Sequence, residues 1–249
     1  MLYDNILYIN LLNHFIQKEN SQYLKYKLIQ TIEFINKNFI SENNLLGSAY
    51  DADSEGVEGK YYVWKYDELQ NILKDKFEIF KKKYFISAAG NFEGSNILVE
   101  NVTENLTDEE LIIVKESERI LLNERKKRTP PSFDNKVQTD LNCYWLYCNL
   151  YSSLILEDQE LFNKTIESIN QINEKLNKNI FHCYNKNKNE IDVFLEDYVY
   201  YSLLLVTLYE INNDLKSLEK CKKVMEVTWK LFFNKDNGLL QKNILNSND

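Results

Sequence analysis

The sequence predicts an all-α protein assembled from helical hairpins. Apolar residues recur at helical spacing through most of the chain. Segments that are apolar nearly all round, 139–156 and 195–211, alternate with amphipathic ones, as inner and outer helices of stacked hairpins or a helical toroid do. Five of the six glycines fall between positions 47 and 94, so tight turns and special backbone geometry are expected there and almost nowhere else.

In chain order, Tyr8, Leu11, Leu12 and Phe15 share one helical face, and Leu24, Leu28, Ile32, Ile35 and Phe39 share another. The short joint Glu19-Asn20-Ser21 makes these an antiparallel pair. Residues 67–85 read as helix. Thr107-Asp-Glu-Glu110 is a capping box that opens a helix to about Lys127, and Pro130-Pro131 end that segment. Residues 139–156 and 159–178 form the next pair. In the last pair, Leu195–Ile211 is buried on every side and its successor turns Leu218, Cys221, Met225, Thr228 and Phe232 inward. Roughly eight helices result. Short strands are expected near Tyr61–Trp64 and Asn96–Val99. No linker or domain boundary is visible.

Composition excludes several classes. A net charge of −8 argues against a nucleic-acid partner. No apolar run is long enough to span a bilayer, and the N-terminus lacks a signal-peptide pattern, so no membrane association and a cytoplasmic location are expected. Cys143, Cys148, Cys183 and Cys221 form no Cys-x-x-Cys pair and no zinc pattern, and read as small buried hydrophobes. With only two histidines, a histidine metal cluster is excluded, and neither metal nor cofactor is expected.

The carboxylates concentrate in a few places. Asp51-Ala-Asp53-Ser-Glu55-Gly56-Val-Glu58 begins like a calcium loop, but its twelfth position is Tyr62 and no helix leads into it. It is either a turn whose acids cap local backbone or a polar site in which neighbouring carboxylates raise one another's pKa and divide acid and base roles. Lys60 and Trp64 follow as candidate substrate contacts. Asn91 and Asn96 flank a second turn, and their amides suit sugar hydroxyls as well as they suit local turns. Asp134 and Lys136 lie in an extended segment leading to a helix whose first turn carries Asp140 and Asn142; Asp140 is equally placed to be a helix-dipole partner. Glu196 and Asp197 open the most apolar helix, and His182, a short loop upstream, is the one plausible titrating base. His14 reads as structural.

Four separated motifs agree with one family. They are 51–64, Asn-Phe-Glu-Gly-Ser-Asn-Ile-Leu (91–98), Arg-Thr-Pro-Pro-Ser-Phe-Asp-Asn-Lys-Val-Gln-Thr-Asp-Leu-Asn (128–142) and Phe-Leu-Glu-Asp-Tyr (194–198). Together they resemble the helical region of the spermatogenesis-associated protein 20 family, thioredoxin-domain-containing proteins, and the opening Met-Leu-Tyr-Asp-Asn does too. Where the family has Trp-Asn-Gly, this chain has Leu141-Asn142-Cys143, losing an aromatic platform. The resemblance implies an (α/α)6 toroid of the six-hairpin glycosidase type, similar to N-acylglucosamine 2-epimerases, with short β-hairpin insertions. It implies that residues 1–249 are a fragment, an incomplete toroid domain lacking the family's N-terminal thioredoxin-like domain. Two functions follow. One is a carbohydrate-active module, epimerase- or glycosidase-like, acting in carbohydrate metabolism on a sugar or sugar phosphate. Asp51, Asp53, Glu55, Glu58, Asp134 and Asp140 would be its catalytic candidates, and Lys60, Trp64, Asn91, Asn96, Lys136, Asn142, His182, Glu196 and Asp197 its substrate contacts. The other is a non-catalytic module that presents a client to the thioredoxin-like domain of the full-length protein.

Overall fold

The computed structural model describes residues 1–41, 44–177, 179–184 and 193–244. The protein is mostly helical, and its chain folds as two compact units. The first comprises residues 1–49 with 134–249 and the second residues 50–133. Four of the six glycines and both prolines fall in the second unit, a shift the sequence reading took for turn geometry rather than for a boundary.

The first unit contains three helical hairpins among its described residues. They are α1 (Leu2–Glu19) with α2 (Gln22–Asn38), α6 (Thr139–Leu156) with α7 (Gln159–Lys175), and α8 (Leu195–Asn212) with α9 (Leu215–Phe232). Helix α6 packs against both α1 and α8, whereas α2, α7 and α9 each pack on their own partner. The expected alternation of inner and outer helices is therefore present in this unit. Each hairpin joint has the same two-residue construction. A residue in the left-handed region ends the first helix (Asn20, φ 45°; Glu157, φ 54°; Asn213, φ 56°). The next residue, Ser21, Asp158 or Asp214, caps the second helix by accepting from Leu24 N, Leu161 N or Lys216 N. The joint thus satisfies backbone groups at both helix ends without a longer loop.

Two inward faces differ from expectation. Helix α1 buries Leu2, Ile6, Ile9, Leu12 and Ile16, while Tyr8, Leu11 and Phe15 are exposed. This helix is apolar on two sides, and periodicity does not say which side meets α6. Asn13 lies among the buried residues, donates to the Cys148 carbonyl and accepts from the Ser152 hydroxyl, so the compact, polar-pinned side faces inward. In α9, Val224 takes the inward place expected of Met225, which is exposed. Helix α8 is largely buried, with Val199 the exposed exception among its large apolar side chains. Cys143, Cys148 and Cys183 are buried and Cys221 is half-buried.

The second unit holds α3 (Tyr66–Leu73), α4 (Phe77–Lys83) and α5 (Asp108–Arg125) around a core of Trp64, Leu69, Leu73, Phe77, Phe80, Val114 and Leu121. The single helix expected over 67–85 breaks at Lys74, whose φ is 51°. The capping box at Thr107 and Glu110 forms as expected. Tyr61–Trp64 does not form the expected strand. Tyr62 N and Val63 N both donate to the Gly59 carbonyl and wrap the segment into a turn, and Trp64 then makes a reciprocal bridge with Asn96. Strand pairing falls instead at 53–54 with 57–58 and at 84–85 with 99–100. Gly90 sits at φ 77°, and a Cβ there would lie 2.5 Å from the Ser95 carbonyl oxygen, so the second turn closes only on glycine.

Candidate functional site

The N-terminal ends of α6 and α8 bring together Asp140, His182 and Asp197. Residues 137–138 pair antiparallel with 183–184, and Thr139 N donates to the His182 carbonyl at 2.8 Å. These bonds hold the His182 loop against the start of α6. Asp197 is fully buried in the first turn of α8. Its Oδ2 accepts from Phe194 N at 2.8 Å and its Oδ1 from Asp140 N at 3.2 Å. His182 Nδ1 lies 3.1 Å from Asp197 Oδ1. A carboxylate only accepts, so Nδ1 carries the proton and Nε2 is left to accept in the neutral imidazole. Gln138 Nε2, 3.1 Å from His182 Nε2, is its donor.

The electrostatics follow from this packing. The hydrogen bond to Asp197 raises His182 above the ordinary imidazole pKa, against the opposing effect of burial. Burial, reinforced by the negative charge of Asp197, raises the Asp140 carboxyl. Glu196 stands beside them, and its Oε2 is buried with no hydrogen-bond partner among the described residues. A buried acceptor left unpaired is costly unless a ligand or water supplies the donor. Asp140, His182 and Asp197 each offer a ligand atom, all within 4.8 Å of one another, so they are also the described residues that could hold a cation.

Next to these groups runs an aromatic strip that the sequence reading did not pick out. Tyr144 of α6 stacks on Tyr200 of α8 at 4.5 Å between ring centroids and on Tyr147 at 6.0 Å, and Tyr147 meets Tyr151 edge-on at 5.2 Å. Its signal was present in the chain as Tyr144, Tyr147 and Tyr151 at helical spacing, but in a segment apolar all round it looked like core. Gln138 was missed as well, because nothing in the sequence ties it to His182.

The remaining candidates are placed as follows. In the first unit, Asn142 is fully buried, accepting from Leu46 N and donating to the Leu46 and Gln138 carbonyls, so its amide holds residue 46 to the start of α6. Asp134 pairs with Lys136 at 3.1 Å. Burial works upward on Asp134, but the Lys136 ammonium and backbone N–H and the Ser48 hydroxyl together hold it below the usual carboxylate range. The other candidates belong to the second unit. Glu55 and Gly56, at φ 53° and 74°, are the two-residue turn of the 53–58 hairpin, with Asp53 opposite Glu58. Asp51 accepts from Asp53 N and from the Ser132 hydroxyl. Glu55 pairs with Lys60 at 2.8 Å, both half exposed. Asn91 braces the second turn through the Ile97 backbone, and Asn96 is buried and braces it through Ser87. Trp64 is in the core with the Arg128 guanidinium 3.9 Å from its ring centroid. Glu55, Glu58, Lys60 and Arg128 share a cleft of about 590 Å3 in this unit.

Comparison with known proteins finds two solved structures and one relative in sequence. Two solved structures of sugar-converting enzymes align with the chain. One is D-mannose isomerase, with a TM-score of 0.44 and 11% identity over 97% of this chain and 63% of that one. The other is a sugar epimerase from a ruminal bacterium, with a TM-score of 0.41 and 15% identity over 99% and 79%. In sequence, the chain is distantly similar to spermatogenesis-associated protein 20 of Homo sapiens, as its motifs led us to expect. The two are 24% identical over 237 residues, covering 77% of this chain and 30% of the human protein. The chain thus spans less than a third of that relative's length. No protein-family model matches it. No helix among the described residues is long and apolar enough to cross a membrane.

Proposed function

We propose that this chain is a carbohydrate-active module, part of an (α/α)6 six-hairpin toroid, that moves protons at a sugar carbon as an epimerase or isomerase does. The observation that carries the reading is the buried, unpaired Glu196 Oε2 beside an imidazole already oriented by Asp197. An acceptor without a donor suits a sugar hydroxyl, and the tyrosine strip next to it suits the apolar face of a sugar ring. His182, with Nε2 free to accept once Gln138 turns aside, is the general base, and Asp140, its proton affinity raised by burial, is the general acid. Asp197 orients the ring. A glycosidase reading needs two reactive carboxyls about 5–9.5 Å apart. Asp197 is ill suited to be one of them, because it is fully buried and already accepts from His182, Asp140 and Phe194.

In the full-length protein, which we take to be cytoplasmic, this module would work beside a thioredoxin-like domain. The test is turnover of aldoses, ketoses, N-acylhexosamines and their phosphates by that protein. His182→Gln is expected to lower the rate by about 100-fold or more. A panel with no turnover at all would remove the enzymatic reading. Asp51, Asn91, Asn96 and Trp64 favour a second reading for the region they occupy, because all four brace local backbone or core. In that reading, the second unit is a non-catalytic platform for a client of the redox domain. Capture of a client on 50–133 with Asp140→Asn present would support it.

A further inference from the structure

A separate cavity of about 700 Å3 opens in the first unit beside α9 and the end of α7. That is within the range of about 300–1,000 Å3 typical of small-molecule sites. Its floor is apolar and well packed, with Leu176, Tyr198, Tyr201 and Val224 all buried. One wall is cationic. Lys216, Lys220 and Lys223 recur at helical spacing along α9, with Glu219 the one acid among the described lining residues. None of the three lysines has a carboxylate partner among the described residues. Lys220 is the most confined of them: its Nζ donates to Asn173 Oδ1 at 3.4 Å and lies 5.2 Å from the Tyr201 ring centroid. Tyr201 OH donates to the same Asn173 oxygen at 2.6 Å, so Lys220 shares its acceptor. Burial lowers the proton affinity of Lys220, opposed by the Cys143 thiol and by no carboxylate among the described residues.

We propose that this cavity binds an anionic amphiphile, with a carboxylate head on Lys220 and its two flanking lysines and an apolar body over Tyr198, Leu176 and Val224. The head would supply Lys220 with a counter-ion, and the body would cover apolar surface on the floor. This site shares none of Asp140, His182, Glu196 or Asp197, so it stands whether or not the sugar reading does.

The test is isothermal titration calorimetry with decanoate below its micellar concentration, against decanol and decyltrimethylammonium. Saturable decanoate binding is expected, about tenfold or more weaker in Lys220→Met and in the double variant Lys216→Gln/Lys223→Gln, and decanol and decyltrimethylammonium are each expected to bind the unchanged protein about tenfold or more weakly than decanoate. Circular dichroism checks each variant. If Lys220→Met does not fold, the double variant decides alone. No saturable decanoate binding, decanol binding as tightly as decanoate, or undiminished affinity in the double variant would overturn the proposal.

Discussion

At the scale of single residues, the His182–Asp197 pair has a definite pH signature. Its imidazole is raised by Asp197, so the folded state holds that proton more tightly than the unfolded chain, whose histidine titrates near about 6.5. The stability this pair contributes is full below that pH and is lost as pH rises through the folded value. Asp140 is also raised, so it acts in the same direction at lower pH. Asp197→Asn is expected to bring the His182 midpoint down, read from its ring protons by NMR titration; an unmoved midpoint would mean the carboxylate does not set it. The same substitution turns one accepting oxygen into a donor, so the bonds from Phe194 N, Asp140 N and His182 Nδ1 cannot all survive. A loss of about 1–2 kcal/mol in chemical denaturation follows. The acids and the histidine were legible one by one from residue type and position. Their meeting was not, because the pairing of 137–138 with 183–184 that brings His182 to the start of α6 carries no periodic signal.

At the scale of elements, the three hairpins of the first unit were legible because inner and outer helices differ in polarity and the joints are short. The joints also offer a clean test. Asn20 and Asn213 tolerate the left-handed region, but Glu157 adopts the same geometry without a side chain suited to it. Glu157→Asn or Glu157→Gly is expected to raise stability by about 0.5–1 kcal/mol, measured by thermal unfolding. In the second unit, Arg128 holds several elements at once. It donates to the Tyr61 and Val63 carbonyls at 3.0 and 2.8 Å, pairs with Glu68 at 2.8 Å and covers Trp64. Arg128→Met is expected to cost about 2–3 kcal/mol, and Arg128→Lys to recover little of it, because an ammonium neither spans those acceptors nor stacks as a planar guanidinium does. The Asp51–Glu58 segment was legible as a special turn. That its glutamate and glycine form a two-residue hairpin turn was hidden, since Glu-Gly is not among the usual pairs for that geometry.

At the scale of the whole molecule, the mostly helical class was plain from periodicity. The division into two units was not drawn, although four of the six glycines and both prolines fall in the second, because helical periodicity runs on through both. Nor was the choice of inward face on α1. Leu7, Leu11 and Phe15 form an exposed apolar stripe there, spaced one turn apart. Such a surface favours self-association. Leu11→Lys with Phe15→Lys is therefore expected to lower the concentration dependence of sedimentation while leaving the thermal midpoint within a degree or two, about what surface substitutions do.

The central claim is that the groups gathered at the starts of α6 and α8 take a proton from a sugar carbon. Incubating the protein with aldoses, ketoses and N-acylhexosamines in D2O and following the C2 proton by NMR tests it directly. The account predicts that deuterium enters C2 of at least one sugar class, that His182→Gln abolishes the exchange, and that Asp53→Asn, on the exposed hairpin, does not. Exchange unaltered in His182→Gln, or none with any sugar, would contradict it.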